Sequence, residues 1–521
     1  MNKQLITSTP SAAFSFARLA RPLAILSAAA ALSACSGMRP APLGTADTLP
    51  VNQADRQAMR KDVEPIDGPL TLENAIARAL KYNLERRSRM MEEALALNQF
   101  DVSQYDMLPK LVAQAGYVTR DTDRISLSRN AFTGDLSPSQ FISQERNRVV
   151  GDLGLTWNLL DFGMGYYGAR QQADRFLIAS EKRRRAMHLL MQDVRTAFWR
   201  AASAQKLQAD VEKTIAAAEE ALADARRAEE ERVRNPMDTL RYQRQLLENL
   251  RLLEAVNQEL TSAQVELAAL INAPFGSRIE VAEMKMEGAG AELLKLPVQD
   301  MEEVALAQNP DLREQHYNAR IAREETRRTM VRLFPNVSFG YNLKYDSDKY
   351  LVHRQWNEAG LQLTANLMNL FTGPAQIRLA EAGVALADQR RMATQLSVLT
   401  QVHLGRLQLI NARNQFERAD AIYGTDQKIA ALSRNRESAQ AQSKLERVSN
   451  DTAAILGLLR RYQALAQVQK IESQLLASLG LEPTIGSTSE LSLAQLTEQV
   501  GRSNDPLQMI RAAGAANPKA Q

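Results

Sequence analysis

The stretch LGLTWNLLDFGMG, residues 153–165, changes its pattern halfway along. From Leu153 to Leu159 every second residue is apolar, a period of two that predicts a strand with one apolar and one polar face. Gly163 and Gly165 come next, and roughly 70 residues of helical pattern follow them. Any fold for this chain has to explain why a two-faced strand continues directly into a very long helix.

The same join occurs twice in the chain. LTWNLL at 155–160 and LTANLM at 363–368 are 208 positions apart. Earlier segments repeat at an offset of 226, which relates Ala79–Asn83 to Ala305–Asn309. The offsets differ by 18 positions, which we assign to 121–147, a tract rich in Asp, Ser, Arg and Asn that we interpret as a surface loop. The chain is therefore an internal duplication.

Each half has the same predicted order: a helix, a strand hairpin, a long helix and a return helix. Pro109 and Pro335 end the first helix of each half, because proline lacks a backbone donor and disfavours helix just before it. The helix pair that follows is interrupted near Asn235–Pro236 and again near 438–443. The predicted division is a signal peptide at 1–34, a linker at 35–69, a first repeat at 70–273, an inter-repeat segment at 274–296, a second repeat at 297–480 and a C-terminal segment at 481–521.

Four strands are predicted, at about 111–120, 148–159, 336–346 and 359–367. Odd positions are apolar, and even positions carry most of the polar residues. Strands of about ten residues can cross a bilayer when tilted. A soluble sandwich with one solvated face is the alternative that alternation leaves open. The polar side chains chosen for the interior-facing set are Asp152, Thr156, Asn158, Gln362, Thr364 and Asn366.

Two hairpins are too few strands to close a barrel or to build a sandwich. A sheet in a membrane cannot leave edges unpaired, because no water is there to bind the free backbone groups. The strands are therefore expected to close by oligomerisation.

The long helix carries a heptad pattern. Between Met187 and Ala225 apolar residues recur at alternating spacings of three and four, with one polar skip at Gln208. About 70 residues at 1.5 Å each give a helix of roughly 105 Å. A coiled-coil spacer without a conduit is the alternative interpretation.

The N-terminal segment is typical of export. Basic residues precede a short apolar run that is too short to span a bilayer, and the run ends in LSAC, at 32–35. Cys35 is the only cysteine, so no intramolecular disulfide can form. The segment resembles a bacterial lipoprotein lipobox, which implies that Cys35 is the lipidated first residue of the mature chain. An ordinary signal peptide with a chance cysteine is the alternative.

Composition and motifs argue against several classes of function. A formal charge of +4 over 521 residues gives no reason to expect nucleic-acid binding. No cofactor or enzyme motif is found, and carboxylates on helices are interpreted as solvated. The four histidines show no metal-ligand spacing; they are His188, His316, His353 and His403.

Taken in order, these motifs give the chain a resemblance to a known family. The chain resembles the TolC family of outer-membrane efflux proteins, particularly its lipoprotein members. The motifs that carry the resemblance are Ala-Leu-x-x-Asn at 79–83 and 305–309, the helix-ending Leu108-Pro109 and Phe334-Pro335, and the paired Leu-Thr-x-Asn-Leu strands. The resemblance covers nearly all of 70–480. It implies a mainly α fold with a membrane β-barrel portion, in which four strands from each protomer complete a twelve-stranded trimeric barrel above a tunnel of twelve helices.

The resemblance also implies a function. The chain would be a passive exit duct of a tripartite efflux system in the outer membrane, served by a periplasmic adaptor and an inner-membrane pump. In that arrangement Gly163 and Gly165 mark the passage from membrane strand to tunnel helix, and the polar strand face lines the lumen. Two alternatives stay open: the duct of a type I protein secretion system, and a coiled-coil envelope lipoprotein without a channel. No cofactor is implied.

The two helix breaks are candidates for a gate or an adaptor contact. Family members usually carry a glycine-containing turn there, and neither break in this chain has one. Asp238 and Glu446 lie at equivalent positions just after the breaks, so a trimer would bring six acids together. Convergent carboxylates at a constriction attract cations. The simpler interpretation of Asp238 is an acid that favours the start of the return helix. The basic residues nearby are Arg232, Arg234, Arg434 and Arg436.

Overall fold

The computed structural model describes residues 41–231, 236–274, 276–277, 279–282, 291–438, 444–481, 485, 488 and 490–503. The chain divides into two units, Met1–Asp62 and Val63–Gln521. The described part of the first unit forms helix α1 (Thr45–Arg60), none of whose residues is buried. This helix lies inside the segment that the sequence analysis treats as a linker.

The first half of the larger unit follows the predicted order. Thr71 accepts a hydrogen bond from the backbone N–H of Asn74 (3.2 Å) and so caps the first helix. A short 3₁₀ turn, Tyr105–Met107, precedes the first strand. The elements are α2 (Leu72–Tyr82), α3 (Leu84–Gln104), β1 (Lys110–Thr119), β2 (Ile125–Arg129), β3 (Leu136–Ile142), β4 (Asn147–Asn158), α4 (Leu159–Glu230) and α5 (Pro236–Leu270).

The second half repeats these elements at the offsets seen in the sequence. Helices α2 and α7 begin and end 226 positions apart, and α5 and α10 begin and end 208 positions apart. The last helix, α11, packs through Leu493, Leu496 and Val500 into the cluster of buried residues around α2. The elements are α6 (Ala291–Leu294), α7 (Val298–Gln308), α8 (Pro310–Arg332), β5 (Asn336–Asp346), β6 (Gln355–Thr364), α9 (Asn369–Ser438), α10 (Lys444–Ser478) and α11 (Leu493–Ser503).

Two asparagines join helices end to end. The side chain of Asn83 caps α3 by accepting from the N–H of Arg86 (3.0 Å), and its amide donates to the carbonyl of Leu270 at the end of α5 (3.2 Å). Asn309 does the same for α8 and α10, accepting from Leu312 (3.0 Å) and donating to Ser478 (2.9 Å). Each pair of shorter helices is thus bonded to the end of a return helix.

The return helices end in left-handed residues at equivalent positions. Asn272 has φ 55° and Gly480 has φ 69°, conformations that favour asparagine and glycine. A Cβ on Gly480 would collide with the backbone carbonyl of Gln308, so only glycine fits this second joint.

The four predicted strands form one antiparallel sheet of order β1-β4-β5-β6. Their limits agree with the prediction within one residue, except for β6, which spans 355–364 rather than 359–367. Asn366 is therefore not a strand residue, which corrects the prediction. Its side chain accepts from the backbone N–H of Met368 (3.1 Å) in the turn that leads into α9.

The loop predicted at 121–147 contains structure of its own. Strands β2 and β3 pair as an antiparallel hairpin that forms a separate two-stranded sheet. Asn130 closes its turn, accepting from the N–H of Phe132 (2.9 Å), and the Phe132 side chain at the tip is 99% exposed. The 18 additional residues of the first half thus form a hairpin rather than an irregular loop.

Candidate functional site

The first candidate site is the four-stranded sheet, whose register gives it two distinct faces. Leu155 is opposite Leu111 on one side and Tyr341 on the other, and Phe339 is opposite Leu361. Odd residues face odd residues throughout, so the apolar positions form one continuous face, as the alternation predicts. Most of its large side chains are exposed, from 37% for Tyr341 to 77% for Leu361, and Leu155 and Val337 are half-buried. An exposed apolar sheet face needs a nonaqueous neighbour.

In the two central strands, β4 and β5, the polar positions are mostly less exposed than the apolar ones, the reverse of a water-soluble sheet, whereas in β1 and β6 both faces are exposed. Arg148 forms an ion pair with Asp346, whose side chain is only 8% exposed. Lys344 pairs with Glu358 at 2.6 Å across β5 and β6. Ion pairs and close packing therefore lie on the side that a soluble sheet would leave to solvent.

The structure places five of the six predicted interior-facing residues on this polar face, at even positions. Asp152 is opposite Lys344, Thr156 is opposite Lys110, and Gln362 is opposite Ser338. Asn158 ends β4, and its side chain donates to Asp161 (3.1 Å) at the start of α4. Thr364 ends β6.

The join between strand and helix differs from the prediction. Helix α4 begins at Leu159, so Gly163 and Gly165 lie within its first two turns instead of between the elements. A Cβ on Gly163 would lie 2.9 Å from the Val331 side chain, and one on Gly165 would lie 3.1 Å from the Asp106 backbone. The glycines therefore let α8 and the 3₁₀ turn approach the helix closely, where the sheet gives way to the helices.

The second candidate site comprises the two helix breaks. Asp238 and Glu446 both lie in the first turn of their return helices, α5 and α10. Asp238 is exposed and 3.9 Å from Arg241, an arrangement that suits an acid stabilising a helix start. The structure does not describe Arg232 or Arg234, and Cys35 likewise lies outside the described residues.

Basic residues at the second break contact the return helix. Arg434 donates to Asp451 (2.9 Å), which ties the last turns of α9 to α10. Glu437 pairs with Arg447 at 3.3 Å in the same place. Arg436 lies in the last turn of α9, as a cation at a helix C-terminus should.

An apolar stripe on α9 was not predicted, since the predicted heptad pattern covers only the first long helix. Its eight residues fall within an arc of about 100° on one side of the helix at 100° per residue. All are between 45% and 75% exposed; they are Leu379, Leu386, Leu396, Leu404, Leu407, Ile422, Ile429 and Leu432. Their spacing was the available signal.

Within the described residues, none of the helices is at once long and apolar enough to cross a membrane.

Solved structures share this fold. The CmeC outer membrane channel of Campylobacter jejuni matches 82% of this chain and 89% of its own, with a TM-score of 0.59 and 13% identity. The MtrE outer membrane channel of Neisseria gonorrhoeae, in its open state, matches 78% of this chain and 88% of its own, with a TM-score of 0.59 and 15% identity. The outer membrane protein VceC of Vibrio cholerae matches 78% and 96%, with a TM-score of 0.57 and 12% identity.

No protein-family model matches the sequence, and no curated protein sequence matches it. At these identities the structural matches establish the fold. The chain has the fold of the outer-membrane channel proteins, mainly helical with long helices and a small sheet. The expected resemblance to the TolC family is confirmed at that level.

Proposed function

We propose that the chain is one protomer of a trimeric channel-tunnel in the bacterial outer membrane, acting as the passive exit duct of a tripartite efflux system. The observation that carries the proposal is the reversed exposure of the central strands: in β4 and β5 most apolar side chains are exposed, and most polar positions, where Arg148 pairs with Asp346, are more covered. That arrangement suits strands that contact lipid on one side and a polar lumen on the other. The shared fold of solved outer-membrane channels supports it.

The proposed trimer closes the sheet. In the described chain β1 and β6 are the two edges, and each leaves one side of its backbone unpaired. Three copies joined edge to edge would make a barrel of twelve strands without free edges, which a membrane sheet requires. Residues Asp152, Thr156, Asn158, Gln362 and Thr364 would then face the lumen.

The helices support the same assembly. Exposed apolar residues recur along one side of α9, and a second copy of the chain is the proposed neighbour of this stripe. Twelve long and paired helices from three copies would form the periplasmic tunnel below the sheet.

The remaining partners are proposed from the function. A passive duct needs a periplasmic adaptor and an inner-membrane pump to deliver the exported molecule, and the helix breaks near Asp238 and Glu446 are the proposed contact. Lipid attached to Cys35 would anchor the mature chain. We assign no enzymatic activity and no cofactor.

Bilayer conductance of the purified full-length trimer tests the duct directly. We expect discrete conductance steps after insertion. A protein that inserts stably as a trimer and conducts no ions would overturn the proposal and favour an envelope spacer.

Labelling with a radioactive fatty acid tests the anchor. The unaltered chain should incorporate label and lose its signal peptide, and Cys35→Ala should do neither at this site. Equal labelling of both chains would refute the lipid anchor and leave the duct untouched, since the strands would still insert.

A further inference from the structure

A cavity of about 360 Å³ lies beside the joint of α10 and α8. Helices α4 and α9 flank it, so four helices contribute to its lining. Its volume falls within the range of small-molecule sites in proteins, about 300–1,000 Å³. We call it the joint cavity; its lining includes His188, Gln192, Gln408, Gln474, Leu404 and Leu475.

Several polar groups in the lining have no partner. His188 is only 7% exposed, and its Nε2 makes no hydrogen bond with any described residue. The side-chain amides of Gln192, Gln408 and Gln474 make none among the described residues either; Gln192 is half-buried, and Gln408 and Gln474 are exposed to solvent. Buried polar groups are normally satisfied, and an orphaned one calls for an explanation. Here four side chains able to donate or accept hydrogen bonds converge on one space.

The charges of the lining cancel. Arg185 donates to Asp311 at 2.8 Å, so the two opposite charges at the cavity edge neutralise each other. Burial lowers the pKa of His188 to about 4, with help from Arg184 and Arg195, so its imidazole is neutral near pH 7. A charged ligand would find no unpaired counter-ion here.

The helix N-terminus at the joint is also occupied. Pro310 has no N–H to offer an anion, and the N–H of Leu312 already donates to Asn309 (3.0 Å). Asp311 places a negative charge in the first turn. These three features disfavour phosphate or carboxylate, which helix N-termini otherwise attract.

We propose that the joint cavity binds a small neutral molecule rich in hydroxyl groups, of the monosaccharide or polyol class. Hydroxyl groups both donate and accept hydrogen bonds, as do the amides and the neutral imidazole that line the cavity. The C–H faces of such a ligand would pack on Leu475, which is buried. The site does not depend on the duct role, since binding and conductance are measured separately.

Histidine-labelled NMR on the full-length trimer tests the proposal, because the chain has only four histidines. The detergent should have an amine-oxide head group, since a sugar head group would compete. Glucose and glycerol are the probes, and inorganic phosphate and magnesium are the charged controls. We expect glucose to shift the His188 resonance saturably, with a weak affinity of about 1 mM. His188→Asn assigns the resonance.

Matched variants locate the site. Gln474→Leu should weaken glucose binding by about two- to tenfold, the effect of losing one neutral hydrogen bond. Gln389→Ala, on the exposed surface of α9 and outside the cavity lining, should leave it unchanged. Circular dichroism and size-exclusion chromatography verify that both variants fold and assemble. The proposal is overturned if neither probe saturates, if phosphate or magnesium alone shifts His188, or if Gln474→Leu and Gln389→Ala bind alike.

Discussion

The long helices α4 and α9 occupy equivalent places in the two repeats, yet they differ sharply in burial. Both end at the same repeat position, Glu230 and Ser438, 208 positions apart. Within the protomer α4 packs against α2, α3, α5, α8 and α10, whereas α9 packs against α7, α8 and α10. Helix α4 has 24 buried residues and α9 has 8.

Matched positions show what the difference means. Trp199 is 4% exposed in α4, and its counterpart Leu407 is 56% exposed in α9. Ile178 and Leu386 form a second such pair, at 8% and 51%. Both residues of each pair are apolar, although only the one in α4 is buried. Helix α4 therefore finds inside its own protomer the neighbours that α9 would find in a second copy, which is how head-to-tail contacts close a ring.

The largest effect is expected where the two repeats should respond alike, in the sheet. Leu155→Arg and Leu363→Arg, 208 positions apart on the apolar face, should each prevent membrane insertion. A cation at the bilayer midplane costs about 2–4 kcal/mol, repeated in three copies. Heat-modifiable mobility of the membrane fraction on gels measures insertion.

The neighbouring threonines are the control for these two changes. Thr156→Arg and Thr364→Arg lie on the polar face and should insert while altering ion selectivity. If the threonine variants were the more damaged pair, the assignment of lipid and lumen faces would be inverted.

A second prediction compares the effect of one alanine substitution in α4 with that of its counterpart in α9. Trp199→Ala should lower the free energy of unfolding by about 3–5 kcal/mol, because it opens a cavity in a packed core. Leu407→Ala should change protomer stability by less than about 0.5 kcal/mol and should weaken the trimer. Urea titration measures the first quantity, and native mass spectrometry measures the second. A trimer indifferent to Leu407→Ala would show that the exposed side of α9 is not the interface.

A third prediction concerns His188, whose counterpart in α9 is Leu396. Since burial lowers the pKa of His188 to about 4, the unfolded chain binds more protons between pH 6.5 and 4. The free energy of unfolding is therefore unaffected by His188 well above pH 6.5, where the imidazole is neutral in both states. It decreases as the pH falls through this range, by about 2 kcal/mol per protomer at pH 5.

Replacement by the α9 residue tests this dependence. His188→Leu should reduce the difference in unfolding free energy between pH 7 and pH 5 by about 2 kcal/mol per protomer. The control is His353→Gln in the exposed loop before β6, which should keep that difference. An equal pH dependence in both variants would show that other groups cause it.

The smallest effect is expected at the helix breaks, where the repeats again match. Replacing Asp238 by Asn and Glu446 by Gln should cost roughly 0.3–1 kcal/mol at each helix start. If six acids meet at a gate, cation selectivity in single-channel recordings should fall as well. Glu219→Gln, on the exposed side of α4, is the control. Lower stability with unchanged selectivity would leave the acids only their role in starting the helices.

The sequence was sufficient for features set by local pattern. Alternation placed the strands and their faces, and the two offsets located the helix ends, because both depend on periods that the chain itself carries. The hairpin at 125–142 was missed since its strands are short and one of them contains Pro138. Asn366 was assigned to a strand because the alternation of apolar and polar residues continues past it to Leu367.

The burial of individual side chains could not be predicted from these periods. Nothing in the sequence distinguishes Trp199 from Leu407, since both are apolar residues in a helical pattern and only their neighbours differ. The unpartnered nitrogen of His188 depends on four helices meeting, so a search for metal-ligand spacing passed over it.

The asparagine joints also bear on how the chain reaches its fold. Asn83 bonds to a residue 187 positions away, and Asn309 bonds to one 169 positions away. Contacts so distant along the chain form slowly, because loop-closure entropy must be overcome first. The long and return helices can form their antiparallel contacts before the joints close. Each joint should therefore be a late event in folding, and replacing either asparagine should accelerate unfolding more than it slows folding.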